Sequence, residues 1–286
     1  MSDDGAYGLT IIGFVGSVFS PYYKITGRGR PENHVSINCA LYGRGARRWA
    51  MTERGEKDLT RDASVLSVGP SAMEWDGDCL TVTIDEITPL IPKRVRGTVR
   101  LYPEALQHNP MPLDRGGNHC WWPIAPCARV EAEFSDPDLS WRGNGYLDFN
   151  TGAEPLEDRF SRWNWSRACV PGGAAVLYDL IERDGGELTL AIKFDPKADV
   201  TDFEPPVLRK LQTSFWQMKR TTRTEAPDDT RVKKTLEDSP FYARSLVETK
   251  LFGERTVAMH ESLDLDRFRN PVVQTMLPYK MPRRFW

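Results

Sequence analysis

Two short segments carry side chains that could do acid–base chemistry at strand spacing. The first, His119-Cys120-Trp121-Trp122-Pro123-Ile124-Ala125-Pro126, sets an imidazole and an indole two residues apart. The second, Tyr146-Leu147-Asp148, does the same with a phenol and a carboxyl. Residues two apart in an extended chain share a face. If the two segments are neighbours, His119, Trp121, Tyr146 and Asp148 therefore converge on one space. A carboxylate buried among aromatic groups is costly, and burial can raise a carboxyl pKa by up to about 3–5 units. Such a group stays protonated near neutral pH and can act as a general acid. The same residues also have an ordinary reading. A strand Asp is more often exposed or bonded to a turn, a Trp pair is usually core, and a lone His usually has a satisfied structural place.

Other site chemistry finds little support. Gly43-Arg44-Gly45-Ala46-Arg47-Arg48 has two glycines of a dinucleotide fingerprint but no helical pattern after it, so it reads as a turn. The chain has no Walker-type Gly-Lys-Ser/Thr and no Gly-x-Ser-x-Gly nucleophile elbow. His34, His108, His119 and His260 are scattered, and nothing points to a metal. The five cysteines, Cys39, Cys79, Cys120, Cys127 and Cys169, form no Cys-x-x-Cys pair and read as reduced thiols in a cytoplasmic setting. A net charge of -2 gives no electrostatic case for nucleic acid.

The elements that must position these groups are strands. Short alternating runs end repeatedly in Gly, Pro, Asp or Asn, and long helical periodicity is nearly absent. Predicted strands include His34–Tyr42, Val95–Tyr102, Ala128–Phe134, Gly145–Asn150, Trp163–Val170, Ala174–Glu182, Glu187–Phe194, Phe215–Thr224 and Arg255–Leu263. Asp76-Gly77-Asp78, Asp184-Gly185-Gly186 and Leu251-Phe252-Gly253-Glu254 supply turns. The stretch Phe203–Gln212 reads as a loop through Pro205-Pro206 that starts one short helix. The rhythm breaks at Gly152–Ser161, which divides the 286 residues into an all-β domain 1–155, carrying Asp148, and a second β domain 156–286. Nine tryptophans are many for this length and suggest large aromatic contacts in a core or ligand cavity.

Long strings then carry a resemblance. Gly16-Ser17-Val18-Phe19-Ser20-Pro21-Tyr22-Tyr23, Trp49-Ala50-Met51-Thr52-Glu53-Arg54-Gly55, Trp121-Trp122-Pro123-Ile124-Ala125-Pro126, Gly145-Tyr146-Leu147-Asp148 and Gly172-Gly173-Ala174-Ala175-Val176-Leu177-Tyr178-Asp179 resemble the carotenoid 1,2-hydratases, also called hydroxyneurosporene synthases, along nearly the whole chain. The resemblance implies two lipocalin-like (calycin-type) antiparallel β-barrel or sandwich domains. It also implies cofactor-independent addition of water to the terminal double bond of an acyclic carotenoid, such as neurosporene or lycopene, in photosynthetic bacteria. The family's His-x-Trp and Tyr-x-Asp positions fall on His119, Trp121, Tyr146 and Asp148.

Hydrating an isolated alkene needs a strong acid and a stabilised tertiary cation. Asp148 is the expected acid. Trp121 is the first candidate to face the cation, with Trp122, Trp163 and Trp165 as further substrate-binding candidates, because an aromatic face over a cation is worth roughly 2 kcal/mol in a desolvated site. His119 or Tyr146 would hold the attacking water or tune Asp148. A membrane-borne hydrocarbon further implies peripheral contact with the inner or intracytoplasmic membrane. Leu9–Phe19 and Met281–Trp286 are candidate membrane-facing pieces. Two other readings stay open: a pericyclase or isomerase of a polyene on the same fold, and a carrier that binds carotenoid without chemistry.

Overall fold

Turn chemistry dictates much of the strand layout. Between strands Ser71–Trp75 and Leu80–Ile87, the Asp76 carboxylate accepts the backbone N–H groups of Asp78 and Cys79 while Gly77 takes a φ of 109°. Only glycine enters that region without a Cβ penalty. Phe252 and Gly253, both at positive φ, close the hairpin Tyr242–Leu251 / Glu254–Asp264 in the same way. The structure is a computed structural model that describes residues 1–284. Its sheets are antiparallel wherever a register is defined, in line with the expected all-β class.

The chain forms two compact units whose segments interleave along the sequence. One gathers Met1–Pro103, Ala128–Tyr146 and the C-terminal residues from Gln274. The other gathers Glu104–Cys127 and Leu147–Val273. The grouping differs from a division at 155/156 because two long strands, His119–Asp136 and Asp138–Gly152, each contribute to both units. Asp148 accordingly groups with the later strands and not with residues 1–103.

In the first unit, Gly8–Val15 pairs with Val35–Tyr42, every residue of which is buried, and Val35–Tyr42 pairs in turn with Arg48–Met51. Leu9–Val15, part of the Leu9–Phe19 stretch expected to face a membrane, is a half-buried run of the strand Gly8–Val15 in this sheet. The C-terminal candidate is also engaged: Met281 is buried and Arg283 pairs with Glu53, while Phe285 and Trp286 lie outside the described residues. A second sheet runs from Leu59–Arg61 through Arg94–Pro103. Buried charge in this unit is matched: Glu53 meets His34 at 2.7 Å, and Glu86 meets Arg54 at 2.9 Å and Ser71 at 3.2 Å. Unpaired, either carboxylate would cost several kcal/mol, on the order of 3–5.

The second unit is built on a seven-stranded antiparallel sheet that includes Phe160–Val170, Gly173–Glu182, Glu187–Phe194, Tyr242–Leu251 and Glu254–Asp264. The Pro205-Pro206 segment continues as strand Val207–Lys210, paired with Thr221–Thr224, and not as a helix. The predicted strand Phe215–Thr224 shrinks to its last four residues, with Phe215–Arg220 forming a loop. Three short α-helices occur outside this region among the described residues, at Pro21–Ile25, Leu156–Arg159 and Leu265–Arg269, and a longer one spans Pro271–Lys280. None is long and apolar enough to cross a membrane.

Candidate active site

In the second unit, alternation along His119–Asp136 sends His119 and Trp121 to one face and Trp122 to the other. Trp121 has no solvent exposure. Its ring meets Tyr178 edge-on at 5.1 Å between centroids and Phe194 at 6.2 Å. Its indole Nε1–H donates to Asp148 Oδ2 at 3.1 Å, and the Asn150 amide reaches the same oxygen at 3.5 Å. Asp148 is half-buried, so its carboxyl stands at the margin of an apolar cluster and is neither sealed in nor immersed in solvent.

Through Trp121, Asp148 joins a continuous series of edge-to-face rings. Phe194, Trp121, Tyr178, Trp163, Phe160 and His119 each meet the next, with centroids 5.1–6.2 Å apart. This geometry sets the positive edge of one ring on the negative face of another. Trp163 and Trp165 share a strand face and are both buried. Register places Trp165 directly between Tyr178 on one neighbouring strand and Glu261 on the other. Glu261 in turn lies opposite Arg244, whose guanidinium holds both Glu261, at 2.7 Å, and Glu237, at 2.6 Å. Burial drives the Tyr178 phenol well above its ordinary pKa, and the carboxylates of Asp148 and Glu261 push it further. Tyr178 therefore stays neutral: a ring and a hydroxyl, never a phenolate that could trap a cation.

His119 is held differently from expectation. Its ring is buried on Phe160, Nδ1 sits 3.1 Å from Asp114 Oδ2, and Nε2 sits 3.1 Å from the Glu154 carbonyl oxygen. A carbonyl only accepts, so Nε2 carries its hydrogen and has no lone pair to offer a water. Asp114 also accepts the backbone N–H groups of His119, at 2.7 Å, and Asn118, at 3.2 Å. Burial favours the neutral carboxyl, but those N–H groups and the His119 ring outweigh it and keep Asp114 below its ordinary pKa. At Gly152 a Cβ would fall 2.6 Å from the His119 ring, so the strand end passes against the imidazole only because glycine stands there. His119 thus ties the Asp114 turn to the end of the strand that carries Asp148.

Of the remaining predicted residues, Trp122 is turned away from the others. The Trp122 indole donates to the Gln107 carbonyl oxygen at 2.6 Å, on the face away from Trp121. Tyr146 is half-buried two residues before Asp148 on the same strand and groups with the first unit. Sequence reasoning missed Tyr178, Phe160, Phe194 and the Glu261–Arg244 pair. The alternation Val176, Tyr178, Leu180 was a signal for Tyr178, since it gives a buried strand one polar handle. Among the described residues no cluster of three His, Cys, Asp or Glu side chains is placed to hold a metal. Cys39 is buried and its thiol pushed up to about 12, which leaves it inert as a nucleophile.

The profile of the carotenoid hydratase CrtC family matches residues 11–286. The chain belongs to the carotenoid hydratase family. As a member of that family it is an enzyme, and its relatives are close. An acyclic carotenoid 1,2-hydratase from Thiocapsa roseopersicina is 52% identical over 99% of this chain and 71% of the relative. Those from Rubrivivax gelatinosus and Cereibacter sphaeroides are 46% and 40% identical, over 99% and 96% of this chain and 71% and 98% of the relatives. Among solved structures, an AttH from Nitrosomonas europaea superposes with a TM-score of 0.59 at 13% identity, covering 92% of this hydratase-family chain and 88% of the other. CghA in complex with Sch210972 gives 0.53 at 12% identity over 92% and 86%. Both likenesses concern the fold alone, and they bear out the lipocalin-like β architecture.

Proposed function

We propose that this enzyme adds water across the terminal 1,2 double bond of an acyclic carotenoid, with Asp148 as the acid. The names of the relatives support the substrate class. The observation that carries the mechanism is the 3.1 Å contact between Trp121 Nε1 and Asp148 Oδ2, which fixes a carboxyl against a buried aromatic series. The acid proton moves from Asp148 to the second carbon of the alkene, leaving a tertiary cation at the first. The faces of Trp121 and Trp163 and the neutral ring of Tyr178 stabilise that cation without bonding to it. Water attacks the cationic carbon, and its surplus proton returns to the Asp148 carboxylate. One water is consumed and the acid is regenerated. Tyr178, held as a neutral phenol, is suited to orient the water, and His119 positions the strand that bears the acid.

The decisive measurement is product mass after incubation of detergent-dispersed lycopene or neurosporene with the purified enzyme. A product heavier by one water is expected. Asp148→Asn should abolish it, at least about 10³-fold if proton donation is lost, while carotenoid binding persists. Rapid turnover by Asp148→Asn would reject the acid assignment. An isomer of unchanged mass, or bound but unaltered carotenoid, would reject hydration itself.

A further inference from the structure

The ribbon Val207–Lys210 / Thr221–Thr224 and its connecting loop serve no evident purpose in the acid site, yet they are built with care. All four residues of Val207–Lys210 are exposed, including Val207 and Leu208. The loop then presents Phe215 at 87% and Trp216 at 41% exposure, ring against ring at 6.0 Å. A slack loop would fold such rings inward. This one is pinned. Leu211 and Met218 are buried anchors, and Ser214 Oγ donates to Asp238 at 2.6 Å. The Arg267 guanidinium donates to the carbonyl oxygens of Trp216, at 2.7 Å, and Gln217, at 3.1 Å. Gln217 accepts a left-handed φ of 56° to make the turn. The backbone is therefore fixed in the conformation that turns the two aromatics outward.

Charge adds a second, independent indication. From Val207 to Arg220 the sequence VLRKLQTSFWQMKR has four cations and no acid, in a chain of net charge -2. Arg209, Lys210 and Lys219 are exposed, whereas Arg220 is buried and spent on the Gln212 carbonyl, Thr235 and Ser245. Exposed rings on a segment that also bears exposed cations match the boundary of an anionic bilayer, where aromatics sit at headgroup level and Lys and Arg meet lipid phosphates.

We infer that this ribbon docks the enzyme on an anionic membrane surface, with Phe215 and Trp216 inserted at the headgroup boundary. The inference draws its purpose from the reading that the substrate is a membrane-held hydrocarbon, but its test reads binding and not turnover. The full chain is sedimented with vesicles of phosphatidylcholine, alone or with phosphatidylglycerol. Binding is expected to be about tenfold or more stronger with the anionic lipid. Phe215→Ala/Trp216→Ala should remove most binding, and Arg209→Gln/Lys210→Gln/Lys219→Gln should remove the anionic preference. Hydration of detergent-dispersed carotenoid should stay within about twofold for both variants. A wild type that ignores vesicles, or a double variant that binds as well as wild type, would overturn the inference. So would a lipid-free dimer that Phe215→Ala/Trp216→Ala dissolves, because the ribbon would then serve a second copy of the chain. Vesicle binding without any hydration would leave the docking surface standing and remove the proposed reaction.

Discussion

At the scale of single residues, the indole of Trp121 does two things that substitution can separate. Trp121→Phe keeps a ring on Tyr178 but deletes the N–H that holds Asp148. Trp121→Ala deletes both and opens a cavity in a fully buried place, at a cost of about 3–5 kcal/mol. If ring and N–H both serve catalysis, kcat falls in the order wild type, Phe, Ala, and thermal unfolding shows only Ala strongly destabilised. Equal losses in kcat would assign the whole effect to the N–H on Asp148 and none to the ring. Tyr178→Phe separates hydroxyl from ring in the same way. A drop in kcat of roughly 10–100-fold at unchanged KM is the expected result if the phenol orients water, and the same exchange at Tyr146 measures that hydroxyl for comparison. Asp148 and Trp121 could be singled out from spacing because strand alternation is a strict rule. Trp122 shows the limit of residue-type reasoning: adjacent tryptophans in a strand cannot both line one face. The Val176, Tyr178, Leu180 alternation marks Tyr178 as a buried polar handle, but its place beside Trp121 arises from pairing with distant strands, which no local pattern records.

At the scale of elements, the His119 staple and the buried His260 make separate predictions. His119→Ala leaves the Glu154 carbonyl and the Asp114 carboxyl short of a partner in a buried place, a loss of about 1–3 kcal/mol. The strand bearing Asp148 then loses its fixed end, so kcat should fall, and His119→Gln, which can still donate to a carbonyl, should recover part of both. A direct base role would instead leave Gln as inactive as Ala. His260, whose Nε2 donates to the Thr221 carbonyl at 2.7 Å, joins the strand Glu254–Asp264 to the strand Thr221–Thr224. Burial, with the nearby Arg220 charge adding to it, pulls its pKa to about 4, against the opposing bond to Thr221. Between the ordinary value of 6.5 and about 4 the unfolded chain takes up a proton that the folded chain refuses. Stability therefore falls as pH falls through that window, by roughly 3 kcal/mol in all. Urea unfolding at pH 7, 5.5 and 4 checks it, and His260→Gln should flatten that part of the profile. Elements with clean alternation and a turn signal, such as Glu187–Phe194, were legible to the residue. Val207–Lys210 was not, because a proline pair suits both a helix start and a strand start, and the choice was made by pairing with Thr221–Thr224.

At the scale of the whole molecule, the all-β class could be read from the turn rhythm, but the grouping of segments could not. Two strands that pass through both units defeat any single cut in the sequence, and only packing decides to which unit each half belongs. The first unit contributes buried charge pairs whose removal is informative. Arg54→Met strands Glu86, whose carboxyl burial already pushes up against the pull of Arg54. A loss of about 3–5 kcal/mol in denaturant unfolding is expected, with hydration per folded molecule preserved. A variant as stable as wild type would mean that Glu86 is satisfied without Arg54. The hydrogen bond from Trp121 to the acid also has a spectroscopic use. In the intact protein, an indole labelled with nitrogen-15 would change its proton resonance as the carboxyl beside it titrates. One tryptophan signal out of nine then gives the ionisation curve of residue 148 directly, with no carotenoid in the tube.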